Sequence, residues 1–304
     1  MRNAFADTLY EIALADPRIV SIGADVLPGG KLPQLKQVAP GRFLNVGIAE
    51  QAMIGIAAGM ALKGLRPFVY TMATFSLYRP FEFVRDDLCY QNLPVTVVGM
   101  GAGLAYSTLG TTHQAQEDLA LACSLANMRV LSPCDPAETA QATRFCAAND
   151  GGPIYLRLGK AGEPDLTRGA EPFVFGRLRW LVRDGTDLCL LAHGPIMAMA
   201  FQVAERMRAL GRKVSVASVH TLKPLDRAGI ADVLGAFASV AVIEEHVAHG
   251  GLAAQVKEIA WDSQARCRLQ AFCLKDQFIH DYGSPDQLLA AHGLSPDSIC
   301  AALG

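Results

Sequence analysis

The sequence is short of charge. Asp, Glu, Lys and Arg make up only 18% of its 304 residues, and 29 acids against 27 bases leave a formal net charge of −2. No basic block stands out, which excludes the electrostatic footprint of a nucleic-acid-binding protein. No apolar run approaches the roughly 18 residues needed to cross a bilayer. The N-terminal stretch MRNAFADTLYEIALADP is amphipathic, with interspersed acids, and lacks the apolar centre of a signal peptide. Cysteines stand at 89, 123, 134, 146, 189, 267, 273 and 300, but none forms a Cys-x-x-Cys pair or a Cys/His cluster with zinc spacing. Most lie in apolar runs such as DLCLLAH and read as reduced core thiols of a cytoplasmic protein. There is no Gly-Lys-Ser/Thr phosphate loop, and the glycines of GMGAGLAYSTLG (99–110) lack dinucleotide-fingerprint spacing. Repeats and low-complexity tracts are absent as well.

What is present is apolar. Hydrophobic residues make up 51% of the chain, enough to bury a large core. With so little charge, much surface is expected to be hidden in subunit contacts. Short β-branched runs alternate with longer helical patterns. Strands are expected at 18–25, 42–46, 66–71, 94–100, 128–132 and 153–158, with helices near 2–15, 50–62, 79–91, 115–125 and 136–148. A polar, breaker-rich stretch, GKAGEPDLTRGAEP (159–172), follows. A second alternating block has strands at 187–193, 213–219, 239–245 and 268–274 and helices near 195–210, 225–236, 248–263 and 285–303. Strand–helix alternation implies parallel sheets covered on both faces. The expected fold class is therefore α/β, with two doubly wound, mainly parallel-sheet domains. The boundaries are 1–165, a linker over 166–178, and 179–304.

One segment combines an acid with unusual surroundings. In FLNVGIAEQAMIGIAAGMALKG (43–64) a strand ends at Val46, a glycine turn follows, and Glu50 opens a nearly uncharged helix rich in Ala and Gly. Small residues allow close helix packing, so this helix is expected at a subunit or domain contact. A lone carboxylate there is costly unless it is protonated or hydrogen-bonded, which makes it a functional candidate. A helix-start glutamate favoured by the helix dipole reads equally well from spacing alone. HGG (249–251) also opens a helix and reads as an anion cradle or, more simply, as a flexible strand-to-helix turn.

NVGIAEQ, followed by its small-residue helix, resembles the pyrimidine-binding domain of the transketolase family. That superfamily includes deoxyxylulose-phosphate synthase and the beta subunits of 2-oxo acid dehydrogenases. The resemblance continues through YTMATFSLYRPFEFVRDDLCYQNLPV (70–95), GTTHQAQEDLALACSLANMRVLSPCDPAET (110–139), PIYLRLGK (153–160) and SIGADV, and in the second block through VASVHTLKPLD, VAVIEEHVAHGGLAAQV and FIHDYGSPDQLLAAHGLSPDSI. It covers nearly the whole chain. It implies thiamine diphosphate as cofactor, with Glu50 as the acid that bonds the aminopyrimidine ring nitrogen and promotes the imino tautomer. It implies further that Phe75, Tyr78 and Ile48 seat that ring, that His113 contacts substrate oxygens, that Asp25 lies near the sugar chain, and that Arg157 binds a substrate phosphate. Glu244 and His246, in the second block, would be structural and near a dimer contact.

The family's other half-site is missing from this sequence. It grips the diphosphate through magnesium with a Gly-Asp-Gly motif, and none occurs here. With residue 1 already in the pyrimidine-binding domain, the resemblance implies a diphosphate-binding partner subunit of N-terminal transketolase type, in a dimer of heterodimers. Two positions depart from the family pattern: Leu109 stands where an Asp reads a donor hydroxyl, and Gly101 where a His holds substrate. Both put common pentose phosphates in doubt as substrates. Three functions remain open: two-carbon ketol transfer by a split transketolase, a 2-oxo acid dehydrogenase beta subunit or related lyase or ligase, and a non-catalytic assembly partner.

Overall fold

The computed structural model describes residues 1–304. Twelve strands form two sheets. Those of the first block are β1 (Ile19–Gly23), β2 (Phe43–Asn45), β3 (Arg66–Met72), β4 (Thr96–Met100), β5 (Arg129–Leu131) and β6 (Ile154–Leu158). Those of the second are β7 (Arg179–Val182), β8 (Leu188–Ala192), β9 (Val214–Ser218), β10 (Thr221–Lys223), β11 (Ser239–Val247) and β12 (Arg268–Leu274). The helices are α1 (Arg2–Ala15), α2 (Leu35–Val38), α3 (Glu50–Leu62), α4 (Ala73–Leu77), α5 (Phe81–Phe83), α6 (Asp118–Ser124), α7 (Pro136–Ala148), α8 (Met197–Ala209), α9 (Arg227–Ala236), α10 (Leu252–Asp262), α11 (Pro285–Ala291) and α12 (Pro296–Leu303).

The seven-stranded sheet runs β10-β5-β6-β4-β3-β1-β2 and the five-stranded sheet β12-β11-β8-β9-β7. All pairings are parallel except β10 with β5 and β7 with β9. This is the expected doubly wound architecture. Strands β1, β4, β6, β8 and β9 are buried at every position, as strands covered on both faces must be. Helices α1 and α7 pack side by side on one face of the first sheet, over a core that includes Phe5, Leu9, Phe68 and Tyr70. α3 packs on the other face through Met53, Ile54, Ala57 and Ala61.

Several expectations need correction. Residues 221–223 belong to the first sheet although they lie inside the second block. β5 would otherwise present an open edge, and β10 closes it antiparallel. Lys223 secures the join by donating to the carbonyls of Cys123 and Leu125. The single helix expected at 285–303 is two. Gly293, at φ +84°, ends the first, and Ser295 caps the second ahead of Pro296. The linker is tied down. Asp135, the N-cap of α7, accepts from Glu138 N and also from Leu166 N and Thr167 N at 2.8 and 2.7 Å. The HGG turn cradles no foreign anion, because Glu244 accepts from Leu252 N and Ala253 N at the start of α10. Glu244 and His246 are both fully buried within the chain. All eight cysteines are free thiols. No helix is long and apolar enough to cross a membrane.

Candidate active site

In an open parallel sheet, ligands bind outside the carboxyl ends of the strands, near the point where the winding reverses. In the first sheet β2 and β3 flank β1 on opposite sides, so the reversal lies there. The residues following β1, β2, β3 and β4 are Asp25, the Gly47–Glu50 turn, α4, and the loop ending at His113. Four of the elements that carry candidate residues therefore meet at one edge.

Asn45 organises two of them. Its side-chain oxygen accepts from Asp25 N at 3.2 Å and from Gly47 N at 2.9 Å. Asp25 is exposed with φ 61°, and Gly47 has φ 71°. Ile48 stands out from this turn, 74% exposed. The chain then enters α3, and Glu50 turns inward until only 3% of it is exposed. Its carboxylate accepts from Arg79 Nη1 at 2.7 Å, its one hydrogen-bond partner in the chain.

The aromatic residues come from α4 and its end. Phe75 meets His113 edge-on, with ring centroids 5.2 Å apart and planes at 76°. The Arg79 guanidinium lies over the Phe75 ring, 4.2 Å from its centroid. His113 is half-buried, its Nδ1 3.0 Å from Thr112 Oγ1. Tyr78 is fixed by Glu117: its hydroxyl donates to Oε2 at 3.0 Å and accepts from the backbone N–H at 3.2 Å. Burial, reinforced by the neighbouring Asp118 and Glu117 charges, raises the Tyr78 pKa far above its ordinary value, so it stays a neutral phenol.

Arg157 does not belong to this edge as a free cation. It is 1% exposed, and its Nε donates to Asp118 Oδ2 at 2.8 Å. Its Nη2 donates to the carbonyls of Ala115 and Glu245. Tyr155 donates to the same Asp118 oxygen at 2.8 Å. Burial opposes the charge on Arg157, but Asp118 outweighs it and holds the guanidinium pKa above its ordinary value. The expected phosphate contact is replaced by a structural ion pair that ties β6 to α6 and to the end of β11. Arg79 links Glu50 to Phe75, which meets His113, and Tyr78 follows on the same helical turn; Asp25 and Ile48 are exposed on the segments that Asn45 braces. Arg79, Glu117 and Asp118 were not singled out from the sequence. The spacing of Arg79 four residues after Phe75 is the signal that could have found it.

The chain is thus an α/β protein of two doubly wound sheets, with a buried acid and aromatic rings at the carboxyl ends of the first sheet's strands. The family model described as "Transketolase, pyrimidine binding domain" matches residues 1–162, and that described as "Transketolase, C-terminal domain" matches residues 179–299. The chain belongs to the transketolase family, whose members use thiamine diphosphate. It is 32% identical over 300 residues to one subunit of the apulose-4-phosphate transketolase of Phocaeicola vulgatus, covering 98% of this chain and 95% of that one. It is 34% identical to 1-deoxy-D-xylulose-5-phosphate synthase of a Synechococcus species, but spans only 48% of that protein's length. Among solved structures, a split gene transketolase described as an inactive beta4 tetramer superposes with a TM-score of 0.85 at 33% identity, covering 99% of this chain and 96% of that one. Transketolase of Pichia stipitis shares the fold, with a TM-score of 0.79 at 20% identity over 44% of its chain.

Proposed function

We propose that this chain is the pyrimidine-binding subunit of a split transketolase, transferring a two-carbon ketol unit from a ketose to an aldehyde. The observation that carries the reading is Glu50: a carboxyl 3% exposed, at the start of α3, joined through Arg79 to the Phe75 ring that meets His113. The Phocaeicola relative is by name one subunit of a transketolase, and similarity over 95% of its length supports the split architecture.

The donor set fits an aminopyrimidine. A buried carboxyl suits a ring nitrogen, and the Phe75 and Tyr78 rings suit the faces of a flat heterocycle. Thiamine diphosphate, when bound, supplies the nucleophilic carbon that takes up the ketol unit. Glu50 would hold a proton at the aminopyrimidine ring nitrogen. Phe75, Tyr78 and Ile48 would seat the ring, and the Glu117 hydrogen bonds keep Tyr78 in place. His113 would orient substrate oxygens, with Asp25 near the sugar chain. The diphosphate and its magnesium would be held by an N-terminal-type partner subunit, in a dimer of heterodimers working in the cytoplasm. The sequence carries no Gly-Asp-Gly, and no group of three or more His, Cys, Asp or Glu is placed to hold a metal ion. With Arg157 enclosed, and with Leu109 and Gly101 in the loop before His113, substrates other than the common pentose phosphates are favoured.

Reconstitution with the diphosphate-binding partner tests the reading. The pair should turn over a ketose with an aldehyde acceptor in the presence of thiamine diphosphate and magnesium. Transfer to a lipoyl carrier, with no reaction of aldehydes, would replace this reading with the 2-oxo acid dehydrogenase one.

A further inference from the structure

The structure assigns to Arg79 a positioning role: its guanidinium holds the place of the cofactor's aminopyrimidine in the unassembled subunit and must leave when the ring enters. The proposal rests on the reading of Glu50 given above.

The geometry is specific. An aminopyrimidine seated here would need two things from this chain, an in-plane hydrogen bond to the Glu50 carboxyl and a ring face against an aromatic side chain. Arg79 already takes both. Its Nη1 donates to Glu50 Oε1 at 2.7 Å, and its Cζ lies 4.2 Å from the Phe75 centroid. A guanidinium is planar and delocalised, with N–H donors in its plane and a face that stacks on aromatic rings. In shape and bonding it imitates the protonated ring nitrogen and the flat face of the heterocycle.

Local structure explains how it arrives there. Phe75 and Arg79 are four residues apart, Tyr78 between them keeps helical dihedrals, and so their side chains project from one face of the same turn. Pro80 follows at once. The pairing also answers an electrostatic need. Glu50 is nearly buried and no other group in the chain bonds its carboxylate, so without Arg79 a desolvated anion would stand alone. Arg79, in contrast, has a side chain 44% exposed, so it can swing to solvent at modest cost. Glu50 and Phe75 are thus kept in place before assembly, while the cofactor's ring is made to compete for them. The competition disfavours loading of the lone subunit, and the diphosphate contacts of the partner would overcome it.

The test uses the full chain and thiamine, which has the aminopyrimidine but no diphosphate. Arginine side chains are labelled with nitrogen-15, and the Arg79 Nε signal is assigned by its loss in Arg79→Met. In the wild type, thiamine should shift that signal, and Glu50→Gln should shift it without thiamine. Arg79→Met should bind thiamine about tenfold tighter, the size of one partly exposed ion pair together with one cation–π contact. Arg79→Lys, which keeps charge but not the flat face, should fall between. Thiamine binding to Arg79→Met that is undetectable, equal to wild type or weaker overturns the proposal. The underlying reading fails separately. If the reconstituted Glu50→Gln pair keeps full turnover, Glu50 is not the activating acid. If that pair is inactive while Arg79→Met gains nothing, only the place-holding role is lost.

Discussion

Removing the Arg157 guanidinium should destabilise the packing of β6 against α6 rather than weaken a substrate contact. In Arg157→Met the side-chain volume is roughly kept, but Asp118, at 0% exposure, loses its counter-ion. Its Oδ1 already has no hydrogen-bond partner, and Oδ2 would keep only the Tyr155 hydroxyl. The Glu245 carbonyl would also lose the guanidinium donor, and the Ala115 carbonyl would keep only Gly103 N. Breaking a buried pair by deleting one partner costs about 3–5 kcal/mol. At about 2–4 °C per kcal/mol for a unit of this size, Tm should fall on the order of 10 °C. Differential scanning calorimetry of the purified variant gives the value. The double variant Arg157→Met with Asp118→Asn should lose less than the sum of the singles, because no unpaired charge remains. Lys at 157 should recover only part, since one ammonium cannot replace the fork that reaches Asp118 and two carbonyls. A Tm within about 2 °C of wild type for Arg157→Met would refute the reasoning, because a fall that small corresponds to no more than about 1 kcal/mol.

Three other outcomes follow from the same structure. Tyr78→Phe keeps the ring but removes both hydrogen bonds to Glu117, so urea denaturation should show a loss of about 1–2 kcal/mol, while affinity of the assembled pair for thiamine diphosphate stays within a few-fold. Asp135→Ala removes the α7 cap and frees Leu166 N and Thr167 N; with a cap worth about 1 kcal/mol, Tm should drop by several degrees and limited proteolysis should cut faster within 159–172, whereas an unchanged cleavage rate would show that Asp135 does not hold the linker. Burial holds His193 and His220 neutral, with pKa values below their ordinary 6.5. The unfolded chain takes up those protons near pH 6.5 and the folded chain resists them, so stability is full above about 6.5 and declines as pH falls below it; Tm that stays flat from pH 7 to 5 would contradict this.

Much of the architecture was legible because it depends on local patterns. Long, β-branched apolar runs gave β1, β4, β6, β8 and β9 to within two residues at either end, and the alternation with helices gave parallel sheets. What escaped depends on distant partners. β10 is three residues long, and only the open edge of β5 makes it a strand. β7 pairs antiparallel at the outer edge of the second sheet and has no fully apolar run to announce it. In the candidate site, Glu50, Phe75, Tyr78 and His113 each sit in a sequence motif, and the fold brings those motifs to the carboxyl end of the first sheet. Arg157 was misjudged for the same reason: its place in a motif was visible, but its burial against Asp118, 39 residues away in sequence, was not. Arg79 was passed over because an arginine next to a proline looks like ordinary surface until Glu50 is folded against it.

The central claim concerns the Glu50 carboxyl, and one measurement bears on it most directly. Glu50→Gln, reconstituted with the diphosphate-binding partner, should assemble as the wild type does. Its initial rate of ketol transfer at saturating cofactor and substrates should fall by at least about 100-fold, the lower end of what a positioned general acid contributes. A rate within a few-fold of the wild type, with assembly intact, would contradict the assignment of Glu50 as the cofactor-activating acid.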